Sequence, residues 1–215
     1  MSKVNFHIPL GAALALALAG SGSPVAAIAQ GGPEQAARFA KSVDTTTRSI
    51  ESTRAQLDKT VAGYNSIIDQ TATDTKDAYK DLGKNITESE KKVAEAKSKV
   101  DEMNAEAESH FAAWKTSTAA ISDPALRKKS EEQMVDSQAK YQKIAAAGRD
   151  ARQHFDALMT ALKNQSSYLG SNLNPSGIAS LKPEAAKFNT RAKELFGKID
   201  TVNKAFGDYA SSIRP

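Results

Sequence analysis

Cysteine is absent from all 215 residues. That absence excludes disulfides, thiolate metal sites, iron–sulfur clusters, a cysteine nucleophile and a diacyl lipid anchor, which needs a cysteine at the point of cleavage. Aromatic residues are scarce at 6%, and runs of Val, Ile, Tyr and Phe that would read as strands are missing. The scarcity argues against a sheet-based enzyme. It also removes the phosphate loop that follows a strand and the strand-borne serine elbow. No apolar run reaches the roughly 20 residues needed to cross a bilayer.

What is present is a chain of one-domain length, rich in Ala, Lys, Glu, Asp, Ser and Thr. It opens like an export signal. Lys3 is followed by an apolar stretch over 8–19 and by the small-x-small step Ala27-Ile28-Ala29. The expectation is cleavage between Ala29 and Gln30, release into the periplasm as a soluble protein, and a single mature domain over 30–215. Residues 30–110 carry 12 basic and 15 acidic side chains, whereas residues 111–215 carry 16 and 10. The second half is therefore the more basic, a distribution that can steer it toward anionic surfaces.

Apolar positions recur at alternating steps of three and four, the signature of an amphipathic helix. The run Ala185, Phe188, Ala192, Leu195, Ile199, Val202, Phe206, Tyr209, Ile213 keeps step throughout. A second comprises Tyr141, Ile144, Gly148, Ala151, Phe155, Leu158, Leu162, Gln165 and Leu169. A third runs from Ile86 through Ser89, Val93, Ala96, Val100, Met103, Ala107 and His110 to Trp114. Near the amino terminus Val43, Ile50, Leu57 and Tyr64 stand seven apart, with Val61 and Ile68 read as part of the second seam position. The fold expected is all-α: an elongated antiparallel bundle or coiled coil with helices about 36–70, 74–119, 124–170 and 183–212.

Breakers mark the joints. Asp123-Pro124 starts a helix, because Asp caps free N–H groups and Pro at the first helical position loses nothing. Asn172 and Asn174 lie in a cluster of turn formers that ends the third helix, and they read as turn and cap residues. A short helical piece is expected over 178–181, before Pro183. At residues 71–75 the seam loses its large apolar residues. A loop there separates the first two helices; the competing reading is one helix of about eighty residues, about 120 Å long, with a stutter in its repeat. The many small seam residues predict a thin core, and a slender bundle without a cavity.

Phe111 and Trp114, one turn apart, precede the basic run Arg127, Lys128, Lys129 across the turn. Together they form the candidate interaction patch, read either as an exposed grip for a partner or as a plug closing the bundle end. The Glu-x-x-His step of a di-metal bundle is absent, since Ala107 and Ala151 stand three residues before His110 and His154. Glu106 and Asp150 stand four before them, within helical reach. No catalytic, cofactor or metal residue is expected, and neither is a nucleic-acid or small-molecule substrate. The expected partner is protein, either a second copy or another envelope protein using leftover seam on the first helix. An anionic membrane surface or an unfolded client, as for a holdase, is the alternative.

Several segments carry a resemblance: Phe111-Ala112-Ala113-Trp114, Leu126-Arg127-Lys128-Lys129-Ser130-Glu131, Tyr141, Leu162 with Gln165 and Tyr168-Leu169, Asn172-Leu173-Asn174, and Ile178-Ala179-Ser180-Leu181. In these the chain resembles a bacterial family of envelope proteins that carries only a domain-of-unknown-function label. The resemblance implies an exported, α-helical, often lipid-anchored protein with no assigned activity. Here the cysteine for such an anchor is lacking, and the family offers no catalytic or ligand residue to carry over.

Overall fold

The structure, a computed structural model, describes residues 24–213, with side chains over 33–213. It is all-α. Four long helices, α1 (Pro24–Ile68), α2 (Thr75–Ala119), α3 (Pro124–Ser171) and α5 (Lys182–Ile213), are joined with a short α4 (Pro175–Ser180) before the last. No strand occurs among the described residues. Each long helix packs on its two neighbours in the cycle α1, α2, α3, α5, giving an up-down-up-down bundle. At 1.5 Å per residue the 45-residue helices α1 and α2 are about 68 Å long.

The joints form as their chemistry dictates. Asp74 caps α2 by accepting from the N–H groups of Lys76 and Asp77 at 2.8 and 2.9 Å. Asp123 does the same for α3, accepting from Ala125 and Leu126 at 2.8 and 3.0 Å. Asn174 caps α4 through Gly177 N–H at 3.0 Å, while Asn172 closes α3 with its amide on Tyr168 O at 3.1 Å. The first two helices are separate: Gln70 takes a left-handed φ of 57° and donates to Ile67 O, and Thr71 donates to Ser66 O. These two bonds are the Schellman arrangement, which satisfies the last carbonyls of α1.

Two boundaries differ from expectation. Helix α1 starts at Pro24, not near residue 36, and continues through Gly31, Gly32 and Pro33. Its backbone thus runs through the expected Ala29/Gln30 junction, while residues 1–23 of the expected leader lie outside the described residues. Pro33 forfeits one helical bond, which is tolerable where neighbouring turns remain bonded. The short helix begins at Pro175, three residues earlier than expected, because Asn174 supplies its cap.

Two apolar clusters fill the bundle. The larger joins Leu57, Tyr64 and Ile67 of α1 to Leu82 and Ile86 of α2, Phe155 to Leu169 of α3, and Phe188 to Ile199 of α5. The smaller, at the opposite end, gathers Phe39, Val43, Met103, Tyr141, Phe206 and Tyr209. Half-buried Ile50 packs against both. Fully burying a side chain of the Leu57 or Phe188 class contributes about 1.5–3 kcal/mol.

Val61 and Ile68 do reach the core, Ile68 buried and Val61 half-buried against it, but they are only part of the second seam. Its continuous row is Phe39, Thr46, Thr53, Thr60 and Ile67, all buried. The three threonines stand seven apart: Thr46 donates to Lys99 O of α2 at 3.0 Å, while Thr53 and Thr60 share their single hydroxyl protons between an own-helix carbonyl (Ser49 O at 2.9 Å, Gln56 O at 2.8 Å) and the α2 acceptors Lys92 O and Asn85 O, both at 3.2 Å. Those acceptors are themselves seven apart, so donors and acceptors form an antiparallel ladder of one fixed register. Thr60 also shares a hydrogen bond of 2.8 Å with buried Ser89. Small side chains on both helices allow this close approach. The seam of α1 is consequently occupied by α2 and α5 of its own chain, which corrects the expectation of leftover seam surface there.

Candidate functional site

The end of the bundle that carries the smaller cluster is built from the start of α1, the end of α2, the α2–α3 turn, the start of α3 and the end of α5. Here the expected patch residues meet. Phe111 and Trp114 are half-buried, on the face of α2 that also carries His110. Trp114 Nε1 donates to Ser130 Oγ at 3.1 Å, and Ser130 Oγ is 2.7 Å from Thr118 Oγ1. Arg127 folds back on the turn, its Nε and Nη2 donating to Ile121 O at 2.9 and 2.7 Å. Lys128 and Lys129 remain exposed. Lys128 lies 3.9 Å from Glu132, a solvent-exposed pair of little energetic consequence. The aromatic half of the patch thus closes the bundle, and the basic half faces solvent. Asn172 and Asn174 belong to the opposite end and do not join this site.

His110 is the residue whose setting sequence spacing did not disclose. It is 7% exposed, and its ring lies 5.2–5.6 Å from those of Phe39, Phe111 and Trp114. Its Nε2 is buried and has no hydrogen-bond partner among the described residues. Burial holds the imidazole below its usual pKa, toward the neutral form. The Glu106 expected to reach it lies instead 3.8 Å from Arg38 of α1. The other expected pair does form: His154 Nδ1 is 3.5 Å from Asp150, on the exposed flank of α3, where Lys198 of α5 also holds Asp150 at 2.6 Å.

Beside His110 lies an open cleft of about 600 Å³, a surface opening at the end of the bundle. Pro33, Ala36, Trp114 and Ile213 form its apolar walls, and Ser117, Gln133, Asp136, Ser137, Lys140 and Ser212 its polar ones. The reason is the inward stripe of α3. Its first turns present Arg127, Ser130, Met134 and Ser137, and no residue of α3 is buried before Tyr141. Further along, the same helix buries Ala151, Phe155, Leu158, Met159, Leu162 and Leu169. Short and polar side chains cannot fill the space between helices, so the bundle gapes where they stand.

Three hydrogen-bond sets hold this half of α3: Ser130 to Trp114 and Thr118, Ser137 Oγ to Tyr209 Oη at 2.9 Å, and Tyr141 Oη to Asn104 Oδ1 at 2.6 Å. Desolvation pushes the Tyr141 phenol well above its usual pKa, aided by Tyr209 and Glu108. Leu126 and Val135 stand outward, 58% and 60% exposed. Among the described residues no group of three or more His, Asp or Glu is placed to hold a metal ion, and no helix is long and apolar enough to cross a membrane.

No curated protein and no solved structure matches this chain significantly. A family model described as "Protein of unknown function (DUF2959)" matches residues 26–210, which takes in all four long helices and both ends of the bundle. Over that span the chain belongs to the DUF2959 family, a family of unknown function with, here, an all-α bundle fold.

Proposed function

We propose that this is a non-enzymatic, exported helical protein that acts as a scaffold or adaptor in the bacterial cell envelope, binding a protein partner through the open end of the bundle. One observation carries the reading: the first four turns of α3 bury no side chain, yet they stand over an aromatic cluster and an open cleft. A helix face left unburied in an otherwise closed bundle is surface that a partner can cover. The export-type pattern of Lys3, the apolar stretch over 8–19 and Ala27-Ile28-Ala29 supports the location. Carboxylates dispersed over solvent-exposed helix faces support a role without acid–base chemistry, which needs desolvated pairs.

Photo-crosslinking in cells tests this. A benzoylphenylalanine introduced at Leu126 or Lys129 is expected to give a discrete adduct that the same probe at Lys193 does not. Charge reversal at Lys128 and Lys129 is expected to weaken it. Equal labelling from Lys193, or no adduct from either probe at the open end, overturns the reading.

A second reading has its own observation. Exposed Leu126 directly precedes Arg127, Lys128 and Lys129, a pairing of apolar and basic groups suited to an anionic membrane surface. Flotation with anionic vesicles at low salt separates the two: recovery with the vesicles that is lost in Leu126→Asp supports the lipid role.

A further inference from the structure

Buried His110 is packed against rings of α1 and α2 and borders the open cleft, and among the described residues no ion pair or hydrogen bond to its side chain is formed. On α1 lie Phe39 and Arg38, the latter engaged with Glu106. On α2 itself lie Phe111 and Trp114, while Glu108, two residues away, acts on Tyr141 of α3, whose phenol it helps to raise. On α3, across the cleft, Asp136 is bound by Lys140 at 2.6 Å, and the Tyr141 hydroxyl is taken by Asn104. On α5, Tyr209 shares its hydroxyl with Ser137. The threonine register sets α1 residues 34 and 35 level with His110. Of these, Glu34 is exposed, and Gln35 Oε1 is buried, unpartnered and neutral. A single amide oxygen does not replace the hydration of an imidazolium.

We propose that His110 is a proton-sensitive latch: its protonation releases the amino-terminal half of α3 from the bundle and uncovers the aromatic cluster beneath. The role assigned to the uncovered surface rests on the docking role of this end, but the latch itself is a property of the isolated chain.

Which element moves follows from what holds each one. Helices α1 and α2 are tied by the threonine ladder and by buried Phe39, Val43 and Met103. Helix α5 contributes buried Val202, Phe206, Tyr209 and Ala210. Residues 124–140 contribute no buried side chain, and the cleft already separates part of this segment from the bundle. Letting water reach His110 from the α3 side therefore forfeits the least packing. In the closed state burial holds the imidazole pKa below its ordinary value of about 6.5, and opening to water returns it toward that value. Closure is thus fully favoured above that value. It weakens as pH falls toward the lower closed-state value, and levels off below it.

Hydrogen exchange of the full chain at pH 7.5 and 5.0, corrected for intrinsic rates, is the test. Opening of residues 124–140 is expected to rise by up to about tenfold per pH unit within the titration window, the slope of a single proton. Acrylamide quenching of Trp114, the one tryptophan, is expected to rise over the same range. His110→Phe keeps an aromatic ring in the cluster and is expected to abolish both responses. His110→Met serves the same purpose should the phenylalanine variant not fold. His154→Gln is expected to retain both.

Exchange over 124–140 that ignores pH overturns the latch. So does an undiminished response in a folded His110 variant, or a loss of protection spread evenly over all helices. Because no partner is present, a negative crosslinking result leaves this test standing, and the converse also holds.

Discussion

Breaking the threonine ladder at Thr60 gives the sharpest prediction about what holds α1 to α2. Thr60 and Ser89 are both fully buried, and the Thr60 hydroxyl touches Gln56 O at 2.8 Å, Asn85 O at 3.2 Å and Ser89 Oγ at 2.8 Å. Thr60→Val keeps the shape and removes the hydroxyl. The two carbonyls keep their helical partners, but the Ser89 hydroxyl is stranded in a dry interface. The lost bonds cost about 1 kcal/mol and the stranded group about 1–2, offset by about 0.8 for the methyl gained, a net loss of about 1.2–2.2 kcal/mol. Ser89→Ala leaves Thr60 its carbonyl contacts and is expected to cost about 1 kcal/mol.

In the double variant nothing is stranded, so the loss is expected to fall short of the sum of the two single losses by about 1 kcal/mol or more. Urea melts followed at 222 nm, with m unchanged, provide the four free energies of the cycle. The melting temperature of Thr60→Val is expected to fall by about 3–8 °C for a chain of this size. Single losses that add to within about 0.3–0.5 kcal/mol would refute the ladder as a coupled element. So would a Thr60→Val variant as stable as the parent.

Two backbone predictions follow from the turns. At Gly177 an added Cβ overlaps Asn172 O and meets Asn172 Cβ at 2.8 Å, so Gly177→Ala is expected to cost about 1–3 kcal/mol by forcing the α3–α4 turn apart. Gly207→Ala, where the added methyl meets nothing within 4 Å, is the matched control, expected to stabilise by about 0.5–1 kcal/mol in the same melts. At Gln70 the left-handed φ of 57° strains a side chain that glycine lacks, and Gln70→Gly is expected to raise stability by up to about 1 kcal/mol. A loss of stability there would mean that the Gln70 side chain, and not the backbone geometry, secures the end of α1.

Much of the architecture was legible because periodicity reports which face of a helix turns inward. Every apolar seam residue from Ala185 to Tyr209 is buried. The Asp123-Pro124 start, and a loop in place of one long first helix, followed from capping chemistry and from the loss of large apolar side chains at residues 71–75. The second seam of α1 was read only in part, at Val61 and Ile68, because a search for large apolar residues passes over Thr46, Thr53 and Thr60. A threonine in a seam has value only when a facing carbonyl lies about 3 Å away, and no single-helix pattern encodes that distance. His110 was placed on the inward face correctly. Its isolation among Phe39, Phe111 and Trp114 depended on α1 packing beside α2 in one particular register.

By itself, then, the order of residues determined the helical class, the inward stripe of each helix and the joints between helices, since these depend on side chains within a few turns of one another. Tertiary structure decided the rest: that the α1 seam closes within its own chain, that threonine hydroxyls set its register on α2, and that a cleft of about 600 Å³ opens where Gln133, Asp136, Ser137 and Lys140 of α3 face the bundle. Those features depend on distances between helices. Such distances are set by the size of side chains meeting from different parts of the chain, and they exist only once the bundle has closed.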